Sequence, residues 1–253
     1  MSFARADLSP IYRAWRLVLP LAVLIALIFG MSNSAPIFHW LFPQLDRPVY
    51  LRASFLTLTI DHVMLVIGAS VPVVIAGVGL GIFVTRPAGR EFAGIIDTVT
   101  AVGQTFPPAA VLALAVPIVG YGAAPALIAL FAYGILPVID TTIAGLRAVP
   151  PAAVDAATGM GFTASGRLWR VELPLAAPVI VAGIRTSVAV AIGTATIGST
   201  VGALTLGSPI IEGLSGSNTA YVLQGAILVA ALAIAIDRLF ALLDAWVRGR
   251  AHN

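Results

Sequence analysis

Long uncharged apolar runs, separated by short polar or proline-bounded breaks, organise this chain from end to end. From Thr98 to Ile139 no acidic or basic residue occurs, about twice the ~20 residues that one helix needs to cross a ~30 Å hydrocarbon core. The run therefore predicts two spans, and the break falls at "PIVGYGAAP", Pro117 to Pro125, where glycines and prolines reverse the chain. A first span is expected over Leu17–Gly30, a second within Phe55–Thr85, a fifth over Leu175–Leu206 and a sixth over Ala220–Ala241. The run at Leu17 follows Arg13 and Arg16 as a signal peptide would, but no small-x-small cleavage site follows it, and it reads as a retained span. The connection "SNSAPIFHWLFPQLDRPVY" carries Trp40, Phe42 and Tyr50, rings suited to a membrane interface. "TRPAGRE" reads as a turn in water, and "GSPIIEGLSGSN" as a loop.

Composition fixes the class. Hydrophobic residues make up 59% of the chain and charged residues 10%, with a mean hydropathy of +1.02, far from the quarter charged that is usual in soluble domains. The chain is expected to be all-α, a polytopic membrane helix bundle of about six spans filling a single domain over residues 1–253. The net charge of +3 is too dispersed for a nucleic-acid footprint. All 14 basic residues are arginines, and they serve as topology signals. Arg5, Arg13, Arg16, Arg86, Arg90, Arg147, Arg167, Arg170, Arg248 and Arg250 fall on one face, against Arg47 and Arg52 on the other. The richer face is expected to be cytoplasmic, with both termini on it.

There is no cysteine, and His39, His62 and His252 show no ligand spacing, so no metal site and no catalytic constellation is expected. Asp61 and His62 are ionisable groups within a span and read either as part of a transport path or as residues near the outer interface, where water solvates them. Asp97, Asp140 and Asp237 are placed near cytoplasmic helix ends.

One polar stretch stands apart, "VPPAAVDAATGMGFTASGRLWRVELP", Val149 to Pro174. Pro150 and Pro151 suit a first helical turn, and Asp155 lies near enough to the N-terminus to favour the helix dipole. Gly159 and Gly161 then stop the helix, Thr163 caps a second one, and Pro174 is accommodated at the start of the next span. The result is a short helix outside the membrane, tied by a turn to a span at each end.

This segment resembles the signature loop of permease subunits of bacterial ATP-binding-cassette importers: E-A-A, three residues, Gly, nine residues, an aliphatic, any residue, Leu-Pro. Asp155, Ala156 and Ala157 take the first three places, Gly161 the fourth, Val171 the aliphatic, and Leu173 with Pro174 the end, with Asp155 standing for Glu. The likeness extends over about residues 57–247. "GQTFPPAAVLALAVPIVGYG", "ILPVIDTTIAGLRAVPP", "VELPLAAPVIVAGIRTS" and "GTATIGSTVGALTLG" resemble permeases for osmoprotectants such as glycine betaine and choline. The resemblance implies the type I importer permease fold, with 149–174 as the coupling loop that docks on an ATP-binding subunit. It also implies a dimer of ATP-binding subunits holding ATP and Mg, a second permease subunit that is a copy or a relative, and an extracytoplasmic solute-binding protein. The chain itself has no G-x-x-x-x-G-K-[ST] motif and no lysine to complete one, so ATP hydrolysis is expected on another polypeptide.

Two polar patches are candidates for the solute path. One is Gln104, Thr105 and Phe106, kinked by Pro107 and Pro108. The other is Thr194, Thr196, Ser199 and Thr200 in the fifth span, which also reads as close packing through Gly193, Gly198 and Gly202, with hydroxyls bonded to their own helix. Other readings stay open at this point: an importer of another small solute such as an amino acid or sulfonate, or a proton-coupled transporter.

Overall fold

The computed structural model describes residues 10–251, so Arg5 and His252 lie outside it. Among the described residues the regular elements are all helices, with one isolated bridge between Gly122 and Gly202. Four helices are long and apolar enough to cross a membrane, and two sharply bent helix pairs raise the number of spans to as many as 6.

The first bent pair is α1 (Pro10–Gly30) with α2 (Ala35–Leu41), turned by 76°. Leu24, Ile28 and Met31 pack inward, and α1 rests on the last helix, α11 (Thr219–Ala251). Val18, Leu21, Ile25 and Phe29 face outward, as expected of side chains meeting lipid. The second span is α3 (Phe55–Thr85), started by Ser54, whose hydroxyl accepts the Thr57 N–H at 3.0 Å. The third is the other bent pair, α4 (Ala93–Gly103) and α5 (Pro108–Val119), which meet at 99°. Pro107 has an extended backbone and Pro108 opens the new helix, so neither can extend α4. The kink read from the sequence is therefore a right-angle break.

The reversal over Pro117–Pro125 is borne out, since α5 stops at Val119, glycines at positive φ occupy 120 and 122, and α6 (Ala123–Arg147) begins at once. Helix α7 (Pro151–Gly159) and the short α8 (Ala164–Arg167) follow. A single π turn, Leu168–Glu172, then leads into α9 (Leu173–Ala195). Pro174 has no N–H to offer, and the Leu173 N–H reaches back five residues to the Leu168 carbonyl, which widens the helix there.

The core of the bundle is α6, packed between α3 and α9. Glycines allow the close approach: a Cβ at Gly77 would lie 2.8 Å from Val138, and one at Gly183 would collide with Thr141. Ser187 adds a hydrogen bond across α9 and α6, donating to the Gly134 carbonyl at 2.7 Å.

Four expectations change. The fifth span does not run to Leu206: α9 ends at Ala195 and a tight 3-10 turn, Ile197–Val201, closes it. "GSPIIEGLSGSN" is not a loop but holds α10 (Gly207–Ser215), packed on α11. Tyr50 is not an interfacial ring. It is buried edge-on against Tyr221 at 5.4 Å, and its N–H donates to the Gln224 side chain. His62 is not solvated either: it is 0% exposed, with Nε2 donating to the Ile192 carbonyl at 3.1 Å and Nδ1 accepting from the Leu206 N–H at 3.3 Å. This ring joins α3, α9 and the turn after it.

Two pairs of arginines lie at opposite ends of the bundle. Arg86 and Arg167 meet at one end, while Arg52 pairs with Glu212 at 2.9 Å and the Arg47 carbonyl accepts from Asn218 at the other. Arg185 belongs to neither group. It pairs with Asp237 at 2.5 Å between α9 and α11, so Asp237 has an ionic partner and does not depend on interfacial water.

Candidate functional site

Between α6 and α9 the chain leaves the bundle, runs through α7, and turns back. Gly161 is the hinge of that return: its φ of +83° is left-handed, and the Phe162 N–H bonds back to the Ala157 carbonyl at 3.1 Å. Thr163 caps the next helix as expected, its hydroxyl accepting the Gly166 N–H at 3.1 Å.

The helical phase of α7 divides its residues. Val154 packs on the cluster of Leu146, Val149, Ala176 and Ile180, and Ala157 is 1% exposed, so this face holds the helix to the bundle. Asp155 and Ala156 point the other way, with Met160 70% exposed just past the helix and Trp169 66% exposed on the π turn. Of the two signature alanines, only Ala156 is exposed and free to meet a partner. Val171 and Leu173 are half-buried, and Pro174 is exposed.

A carboxylate fastens the segment. Glu172 is 5% exposed and accepts from Arg86 Nη2 at 2.6 Å and from Arg167 Nε at 2.9 Å. Arg167 also donates to the Thr158 hydroxyl at 3.0 Å. The last turn of α7, the start of the α9 helix and the end of α3 are thereby joined through one side chain. Two arginines supply the charge and hydrogen bonds that make such burial tolerable. The motif reading passed over Glu172 because that place admits any residue. Its signal in the sequence was an acid directly before Leu173-Pro174, in a segment otherwise charged only by Asp155, Arg167 and Arg170.

The two polar patches proposed for the solute path do not come together. Gln104 and Thr105 lie at the α4–α5 break, where Gln104 donates to Asp140 at 3.2 Å and Phe106 is exposed. Asp140 is 17 residues along α6 from Ala123, roughly 26 Å at the helical rise. The other patch meets the opposite end of α6, where the Gly122 N–H donates to the Val201 carbonyl at 2.7 Å.

Within that second patch the hydroxyls of Thr196 and Thr200 bond to carbonyls three residues back, at 2.6 and 2.7 Å, as the packing account holds. Thr194 is half-buried on α9. Ser199 instead reaches the hydroxyls of Thr205 and Ser208, at 2.8 and 3.2 Å. Thr205 in turn donates to the Ala195 carbonyl and accepts the Gly207 N–H. The glycines divide too: Gly198 packs on Ala126, Gly202 takes a turn at φ +87°, and a Cβ at Gly193 would meet nothing within 4 Å.

Comparison with known proteins agrees with this architecture. Residues 77–249 match the family described as binding-protein-dependent transport system inner membrane component. The chain is 40% identical over 180 residues to the osmoprotectant import permease protein OsmY of Salmonella typhimurium (strain LT2), covering 71% of this chain and 76% of that protein. It is 39% identical over 186 residues to the choline transport system permease protein OpuBB of Bacillus subtilis (strain 168), covering 74% and 85%. Among solved structures, the inward-facing MetNI methionine ABC transporter superposes with a TM-score of 0.67 at 20% identity, over 78% of this chain and 99% of that one. That likeness gives the fold, which is that of type I ABC importer permeases. The chain belongs to the family of inner-membrane components of binding-protein-dependent transport systems, and is a multi-pass permease subunit.

Proposed function

We propose that this chain forms the translocation pathway for a small quaternary ammonium osmoprotectant, glycine betaine, choline or a close analogue, and is driven by ATP hydrolysed on a separate subunit. The α7 segment carries the reading: a short helix held outside the bundle, presenting Asp155, Ala156 and Met160 outward and clamped through Glu172 to two spans. A push on that outer face has a rigid route into α3 and α9. Two such ATP-binding subunits, closing on nucleotide, would rock the permease from inward-open to outward-open. A second permease subunit, a copy or a relative, completes the path. A solute-binding protein delivers substrate to the opposite face, where Arg52 and Glu212 join the loop before α3 to α10. In this reading the arginine-rich end is cytoplasmic, ATP and Mg belong to the partner, and catalysis is absent from this chain. The names of the relatives favour a quaternary ammonium solute over an amino acid or a sulfonate. Uptake of radiolabelled choline and glycine betaine by cells expressing the complete transporter tests the reading, with proline and taurine as competitors. Uptake insensitive to loss of ATP but abolished by collapse of the proton gradient would overturn it.

A further inference from the structure

A second feature of α3 lies at the end of the bundle away from the α7 segment. Asp61 is half-buried, six residues into α3 from Phe55, roughly 9 Å along the helix. Its carboxylate has no hydrogen-bond or ion-pair partner among the described residues. It lines an open cavity of about 460 Å³ whose other walls include Met64, Leu65, Gly68, Leu127, Gly202 and Leu204. That volume is within the ~300–1,000 Å³ range usual for small-molecule sites.

The embedded acid of the neighbouring helices is treated differently, since Asp237 is neutralised by Arg185. A lone carboxylate inside a bilayer is costly, so it persists where it faces water or meets a cation. The walls decide which cation. A small metal ion needs six or more oxygen ligands, and the lining offers one carboxylate among aliphatic groups and a thioether. A cation wrapped in methyl groups is weakly hydrated, and it can touch Met64, Leu127 and Leu204 while its charge faces Asp61.

We propose that Asp61 and this cavity form a transient cation subsite of the translocation path, which holds the alkylated ammonium group of the solute. The proposal rests on the functional reading above and adds to it the residue that recognises the charge.

The test uses the complex of this chain with its ATP-binding subunits in nanodiscs, without binding protein. Saturation-transfer NMR reads the methyl protons of choline, with tetramethylammonium as a second cation and 3,3-dimethylbutan-1-ol as the uncharged shape control. Both cations should show transfer and the alcohol should not. Asp61→Asn should abolish the transfer while Asp61→Glu keeps it. In proteoliposomes with saturating binding protein, Asp61→Asn should lower maximal choline uptake about tenfold or more. Transfer to choline that is equal in the wild type and Asp61→Asn, or equal for choline and the alcohol, overturns the subsite. If the wild type takes up choline but shows no transfer, the subsite also falls while the functional reading stands. If the wild type neither takes up nor binds any quaternary ammonium solute, both fall.

Discussion

Arg86 and Glu172 are 86 positions apart in the chain and 2.6 Å apart in the fold. This contact ties the end of α3 to the start of the α9 helix, and Arg167 on the same carboxylate adds α7 through Thr158. Replacing Glu172 with Gln keeps the shape but leaves two arginines without their counter-charge. Coupling between sites is commonly worth about 5- to 150-fold. Glu172→Gln should therefore lower uptake about tenfold while ATP hydrolysis by the purified complex changes less than about twofold, with Glu172→Asp in between. Parallel loss of both activities would mean that the clamp only supports folding.

Gly161 allows a sharper test of the same route. A bulky side chain at φ +83° costs about 1–2 kcal/mol, enough to rebuild the turn rather than unfold the bundle. Gly161→Leu should insert into membranes at normal levels, as membrane fractionation would measure, yet separate ATP hydrolysis from uptake. Normal uptake in this variant would contradict the assigned role of the segment.

Packing and path readings of the small residues diverge at Gly183 and Gly193. A methyl at Gly183 would run into Thr141, whereas one at Gly193 would find open space. Overpacking of this kind costs about 1–3 kcal/mol. Gly183→Ala should lower the thermal midpoint of the detergent-solubilised protein by several degrees, and Gly193→Ala should leave it unchanged.

Ser199 and Thr205 share a hydrogen bond but not its importance. Thr205 still has the Ala195 carbonyl and the Gly207 N–H when Ser199 is gone, so Ser199→Ala should be mild in both stability and uptake. Thr205→Val keeps the shape and strands the Gly207 N–H, a loss of about 1–3 kcal/mol. Equal effects of the two substitutions would show that the turn is not organised around Thr205.

Much of this architecture is written in local chemistry. Pro117, Gly120 and Gly122 mark the reversal before α6, Thr163 marks its helix start, and Gly161 marks the turn, because each constraint acts within a few residues. What the sequence conceals is set by distant partners. Arg185 disappears in an apolar average, and its partner Asp237 is 52 positions away. His62 looks like a solvated interfacial residue until Ile192 and Leu206 close around it. The helix of the fifth span stops at Ala195 although the residues beyond stay uncharged, because Thr205 and Ser208 return to knit the turn. In the signature loop the spacing was legible, but the inward face of Ala157 was not, since only the packing of Val154 fixes the helical phase.

The central claim is that the outer face of α7 receives a push from an ATP-binding subunit. The chain has no cysteine of its own, so single substitutions report cleanly. Asp155→Cys, Ala156→Cys, Ala157→Cys and Met160→Cys, each in the intact complex purified from membranes, should be treated with a short cross-linker whose one arm takes the thiol and whose other arm is photoactivated. The account predicts cross-links to a P-loop ATPase from positions 155, 156 and 160, and none from the buried position 157. Purification of the chain without an ATPase, or cross-linking as strong from 157 as from 156, would contradict it.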